Sequence, residues 1–102
     1  MQAGQTRYTH VAGTLTLRQA VCDKYQRDNQ LSYQANQVLV SNGAKQNIYN
    51  LTVALLDTGD QVIIPAPYWV SYYAMVTMTG AECVIIPCPA SQAFKLTAAQ
   101  LA

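Results

Sequence analysis

The residues with the most chemistry to offer lie around Gly43. Val38-Leu39-Val40-Ser41 is a short apolar, β-branched run that reads as a buried strand. It stops at Asn42-Gly43, where glycine permits a sharp turn. Ile48, Leu51 and Leu55 then recur at helical spacing, which predicts a helix over residues 47–56. A strand that turns through glycine into a helix N-terminus leaves backbone N–H groups facing the turn. With the positive end of the helix dipole, these donors make an anion site, most often for phosphate. The same pattern also describes an ordinary connection between a strand and a helix, and both readings stay open on these residues.

Few other chemical constellations compete. Cys22, Cys83 and Cys88 are odd in number and lack CxxC spacing, and His10 is the only histidine. A zinc site would therefore need an unusual ligand set. Asn50-Leu51-Thr52 matches a glycosylation sequon but falls inside the predicted helix, so it reads as a chance match. Neither GxGxxG nor GxxxxGK[ST] occurs, which removes the main support for a stand-alone nucleotide-binding module.

The elements that position the turn follow from periodicity. Residues 6–13 are polar and without period, and are expected to form an arm or loop. Thr16-Leu17-Arg18-Gln19 is a capping box that predicts a helix start, with Leu17, Ala20, Val21 and Tyr25 as its buried stripe and Asn29-Gln30 as its end. Residues 31–37 read as a polar linker. Asp57-Thr58-Gly59-Asp60 stops the second helix. Residues 61–65 and 82–87 read as continuously apolar strands, the first cut off by Pro65 and Pro67. Between them, residues 68–79 predict an aromatic-rich helix closed by Gly80. Alternating strands and helices with strands apolar on both faces predict an α/β fold with a mainly parallel sheet. Thr97-Ala98-Ala99-Gln100 announces a further helix, and the chain reads as cut short at Ala102.

Composition sets the outer limits. The 102 residues are 51% hydrophobic and only 11% charged, with a net charge of +1. That length suits one domain, expected here to be incomplete and to span residues 1–102, with residues 1–15 as its arm. Typical globular chains are about 25% charged, so a surface this apolar is expected to be covered by something else. Near-neutral charge without basic runs gives no footprint for nucleic acid, and no apolar run has the length of a membrane span. The first residues lack the apolar core of a signal peptide, so a cytoplasmic protein is expected.

Four segments, in order, carry a resemblance to a known family. They are Thr6-Arg7-Tyr8-Thr9, Val40-Ser41-Asn42-Gly43-Ala44-Lys45-Gln46, Leu55-Leu56-Asp57-Thr58-Gly59-Asp60 and Val62-Ile63-Ile64-Pro65-Ala66-Pro67-Tyr68-Trp69-Val70-Ser71-Tyr72. The chain resembles the large domain of a class I/II aminotransferase, of the bacterial aspartate aminotransferase type, from about Gly4 to Leu101. The resemblance implies part of a three-layer α/β/α domain. It also implies pyridoxal 5'-phosphate as cofactor, with an amino acid and a 2-oxo acid as substrates. Gly43, Ala44 and Lys45 match the family's phosphate turn, with the Lys45 amide rather than its ammonium expected as the contact. Trp69 matches the aromatic residue that stacks on the cofactor ring and borders the substrate carboxylate; read without the family, it is a core aromatic. Tyr8 matches the tyrosine that reaches the cofactor phosphate of a partner subunit, which implies a homodimer; without the family it is an exposed loop residue.

The departures sit beside these motifs. His10 stands where the family has proline, Tyr72-Tyr73 where it has Tyr-Pro, and Gly13-Thr14-Leu15-Thr16-Leu17 where Gly-Ile-Pro-Glu-Leu is commoner. By the resemblance, the Schiff-base lysine, the aspartate on the pyridine nitrogen and the carboxylate-binding arginine belong to sequence beyond these motifs. Lys24, Lys45 and Lys95 stand in other contexts, so no catalytic residue is assigned and the chain by itself is expected to be inactive. The resemblance further implies that the strands at 62–65 and 83–87 are neighbours, with the one at 38–41 unpaired to either.

Overall fold

The computed structural model describes residue 4 and residues 6–102, so residues 1–3 and 5 of the predicted arm lie outside the described residues. Two compact units divide the chain, residues 1–43 and 44–102.

In the first unit, helix α1 spans Leu15–Asn29. Its N-cap is Thr14, whose hydroxyl accepts from the Leu17 amide, and not the predicted Thr16. Both threonines suit a cap, and the turn ahead decides between them: Gly13, at φ +93°, donates to the His10 carbonyl and presents Thr14 in extended geometry. The helix ends where predicted, with Gln30 in the left-handed conformation. Cys22 is its buried residue. The predicted buried stripe is largely open: Leu17, Ala20 and Tyr25 are exposed and Val21 is half-buried, and with Lys24 they line an open groove of about 340 Å³. The helical period is as read, but the face is covered only in part, Tyr33 packing edge-on against Tyr25 at 5.9 Å.

Residues 38–41 belong to no ladder, with Val38 in extended geometry; this corrects the predicted buried strand and agrees with the expectation of a segment unpaired to the strands at 62–65 and 83–87. β-branched residues favour extended backbone, but a strand also needs a neighbour to bond with. What holds this segment is local. Val38 donates to the Ala35 carbonyl of a 3₁₀ turn at Ala35–Gln37, and Val40 donates to Ala12 at 3.0 Å. Gly13 packs so closely on Val40 that a Cβ there would lie 2.9 Å from the valine Cβ. Gly13→Ala therefore meets both a crowded site and an unfavourable φ, and is expected to cost about 1–3 kcal/mol. Hydrogen exchange checks it: the Val40 amide should lose protection, and wild-type protection would show that the segment accommodates the methyl.

The second unit holds the sheet. Strands β1 (Gln61–Ala66) and β2 (Glu82–Pro87) pair in parallel, Gln61 opposite Glu82 through Ala66 opposite Pro87. This is the predicted neighbour relation, and the α/β class stands. Helix α2 spans Ala44–Leu55, starting directly after Gly43 rather than at residue 47. Its inward positions also differ from the prediction. Ile48 and Thr52, with Leu56 just beyond the helix, are half-buried at four-residue spacing, whereas Leu51 and Leu55 are exposed. Thr52 can sit inward because its hydroxyl already donates to the Tyr49 carbonyl.

Helix α3 spans Ser71–Thr77, shorter at both ends than the predicted 68–79. Pro65 and Pro67 keep the preceding backbone extended, and the chain re-enters helix only after a turn closed by the Tyr72 amide on the Trp69 carbonyl. Past Thr77, three-residue bonds from Thr79 to Val76 and from Gly80 to Thr77 tighten the end. Ile64, Val76 and Ala81 form the core, with Leu56, Val62, Tyr68 and Cys83 packed against it. Helix α4, Ala98–Leu101, has the predicted capping box, and the Gln100 side chain also donates to the Pro87 carbonyl at 2.9 Å, fastening the segment to the end of β2.

Candidate functional site

The turn at Gly43 has the backbone that an anion site needs. Gly43 sits at φ +95° with open space where a Cβ would be, so the backbone angle and not crowding calls for glycine. Its own amide is taken by the Ser41 carbonyl at 2.8 Å. The donors offered outward are therefore the first amides of α2, at Ala44 and Lys45, which have no intrahelical acceptor. No acidic residue stands in the first turn of α2, so nothing there repels an anion.

In the second unit, Lys45 and Trp69 meet. The Lys45 ammonium lies 4.9 Å from the centroid of the indole, a cation–π contact, although 24 positions separate the two residues in sequence. The Lys45 ammonium is thus engaged with an aromatic face. Trp69 is 43% exposed, so the reading of it as a plain core aromatic is set aside. It lies in the turn ahead of α3, where it presents ring surface to solvent while its carbonyl anchors the helix start.

Tyr72 is a member of this cluster that sequence reasoning missed. Its ring packs edge-on to Trp69 at 5.4 Å and 89°, holding the indole from the side. The three-residue spacing of Trp69 and Tyr72 across a tight turn was the available signal. Below them, Ile48, Thr52, Ile64, Tyr72 and Val76 line an open apolar groove of about 260 Å³.

Tyr8, in the first unit, is fully exposed, and no described residue bonds its hydroxyl. It is thus presented outward and not packed within its own unit. Burial pushes the Cys83 thiol up, so it stays protonated near neutral pH and is a poor nucleophile. Among the described residues, no group of histidine, cysteine and acidic side chains could hold a metal ion, and no helix is long and apolar enough to cross a membrane.

A glycine turn into a helix N-terminus and a lysine set on a half-exposed indole stand on an α/β frame, and similarity to known proteins places that frame. The family model for aminotransferase class I and II matches residues 1–102, and the chain belongs to that family. Among its relatives, it is 49% identical over 98 residues to a probable aspartate/prephenate aminotransferase of Rickettsia conorii, covering 96% of this chain and 24% of that protein. It is 46% identical over 101 residues to an aspartate aminotransferase of a Bacillus species, covering 99% and 26%. The fold matches the crystal structure of the aspartate aminotransferase of Rhizobium meliloti with a TM-score of 0.94 and 45% identity, over 98% of this chain and 25% of that one. The aspartate aminotransferase of Thermus thermophilus with maleate also matches at 0.94, with 37% identity. The chain spans about a quarter of the length of the curated relatives it matches.

Proposed function

We propose that this chain is part of a pyridoxal-phosphate-dependent aminotransferase of the aspartate type, and that it carries one portion of the cofactor site. The activity of the whole is the movement of an amino group from an amino acid to a 2-oxo acid. When bound, the cofactor serves as the electron sink for that chemistry. This chain's residues hold and orient it: the amides at the Gly43-Ala44-Lys45 turn for the phosphate, and the indole of Trp69 for the ring face. The observation that carries the reading is the Lys45–Trp69 contact, because it brings the turn and the aromatic segment to one place. Open space at Gly43 and ring surface left to solvent at Trp69 suit a phosphorylated aromatic ligand. The exposed Tyr8 phenol suits a donor directed at a partner subunit, and on that basis we assign a homodimer. Three free cysteines are consistent with a reducing, cytoplasmic setting.

The test uses pyridoxamine 5'-phosphate, which cannot condense with surface lysines, and the fluorescence of the single tryptophan. Saturable quenching is expected, and pyridoxamine without its phosphate should need at least about tenfold higher concentration, since the phosphate supplies charge-assisted bonds. Equal concentration dependence for the two ligands would defeat the phosphate assignment, and absence of quenching would defeat the site.

A further inference from the structure

Residues 88–97 follow β2 and come back to the point where they left it. Cys88, 2% exposed, donates its amide to the Ala66 carbonyl at 2.8 Å, which closes the outgoing end on β1. At the returning end, 13 residues after Pro87, the Gln100 carboxamide donates to the Pro87 carbonyl at 2.9 Å. Between these ends, a 3₁₀ turn at Ala90–Gln92 leads into Ala93 and Phe94, both left-handed at φ +52° and +58°. Neither is glycine, and a side chain opposes that backbone at each position. Burial does not offset the strain, since Phe94 is 59% exposed and Ala93 is exposed as well. The core around Ile64, Val76 and Ala81 includes no residue of this segment. What holds it is local: Ala93 donates to the Ala90 carbonyl, Phe94 to that of Pro89 and Lys95 to that of Gln92.

Gln100 gathers the segment. Its Oε1 accepts from the Thr97 amide at 3.1 Å, the Thr97 hydroxyl at 2.9 Å and the Gln92 Nε2 at 2.7 Å, while its Nε2 donates to Pro87. A backbone N–H can only donate and a carbonyl can only accept, so Thr97 and Pro87 together fix which way the carboxamide points. Gln92 completes the ring by donating to the Lys95 carbonyl at 3.2 Å. We propose that Gln100 is a latch, and that residues 88–97 are a strap with two states. In the closed state the carboxamide holds the strap to the end of β2 with Ala93 and Phe94 left-handed. In the open state the Pro87 bond is broken and those two residues relax to ordinary backbone, while β1, β2 and the core stay in place. Segments with few buried apolar contacts open as separate units in this way. The capping box of α4 is a separate task of the same side chain: it uses Oε1, whereas the latch needs Nε2.

Glutamate separates the two tasks, because it keeps the accepting oxygen and donates only when protonated. The experiment measures hydrogen-exchange protection of the amides in the full chain, for wild type, Gln100→Glu, and Gln100→Glu combined with Ala93→Gly. In Gln100→Glu at neutral pH, the amides of Ala93, Phe94 and Lys95 should lose about tenfold or more in protection, since a carboxylate then faces the Pro87 carbonyl. The Gln100 amide, held by the Thr97 hydroxyl, and the amides of β1 and β2 should keep theirs. Below about pH 4 the carboxyl carries its proton, so protection at residues 93–95 should return to that of wild type at the same pH. Ala93→Gly removes strain that drives opening, and should restore about threefold or more of the protection lost at neutral pH. Should acid unfold the chain, the neutral-pH contrast between the single and the double variant decides by itself. Wild-type protection at residues 93–95 in Gln100→Glu would overturn the latch. No recovery with Ala93→Gly, or loss of the Gln100 amide along with the rest, would reduce the side chain to a helix cap and overturn it equally.

Discussion

Ile64→Ala is expected to unfold residues 44–102 at 25 °C. Ile64 is 5% exposed and sits at the centre of the core with Val76 and Ala81, which are 3% and 5% exposed. Removing its buried methyl and methylene groups costs transfer free energy plus a cavity term, about 2–5 kcal/mol together. A unit of this size with so small a core has about 3–5 kcal/mol in hand. Around the core, large apolar side chains such as Leu51, Val53, Leu55, Ile63 and Met78 remain exposed, so they contribute little that could compensate. Urea unfolding followed by far-ultraviolet circular dichroism measures the loss. Ile64→Val should cost about 0.5–1.5 kcal/mol and keep a visible transition. If Ile64→Ala unfolds with a loss below about 1 kcal/mol, stability lies outside this cluster.

Trp69→Ala should weaken binding of pyridoxamine 5'-phosphate by about 10–100-fold, from the roughly 1–3 kcal/mol that one stacking aromatic contributes. The fold should survive, because Trp69 is partly exposed in the turn before α3 and lies outside the core. Trp69→Phe keeps a π-face and should retain most of the affinity. Equilibrium dialysis suits the measurement, since the variants have no tryptophan to report. Unchanged affinity in Trp69→Ala would remove the indole from the ligand site. Its contact with Lys45 would then be a surface cation–π pair and nothing more, of about 0.5–1 kcal/mol.

Much of the candidate site is legible in the residues before any coordinates. Asn42-Gly43 marks a turn because the backbone there needs positive φ, and Gly43 adopts it. The Pro-Ala-Pro-Tyr-Trp run marks the aromatic segment, and Trp69 stands half-exposed in the turn before α3. The meeting of Lys45 with Trp69 was not legible, since periodicity along a chain carries no information on which distant side chains share a face. Tyr72 escaped for the same reason. Its value lies in its angle to the indole, and angle is a property of the packed turn.

Local rules account for what the sequence by itself determined. β1, β2 and the α4 capping box stand within a residue of expectation, and α1 ends where predicted, because each is written in short-range chemistry: apolar runs bounded by proline, and polar side chains that bond nearby amides. The family, too, was carried by the motifs alone. Only the tertiary structure decided which periodic residues face inward, and whether an extended segment becomes a strand. Ile48 is half-buried as its spacing suggests, but Thr52 and Leu56 join it where Leu51 and Leu55 were expected, and the stripe of α1 is largely open although its period is helical. Residues 38–41 have strand composition and no ladder. A helix face is buried, and a strand exists, only through what lies against it, and that neighbour is not written in the segment itself.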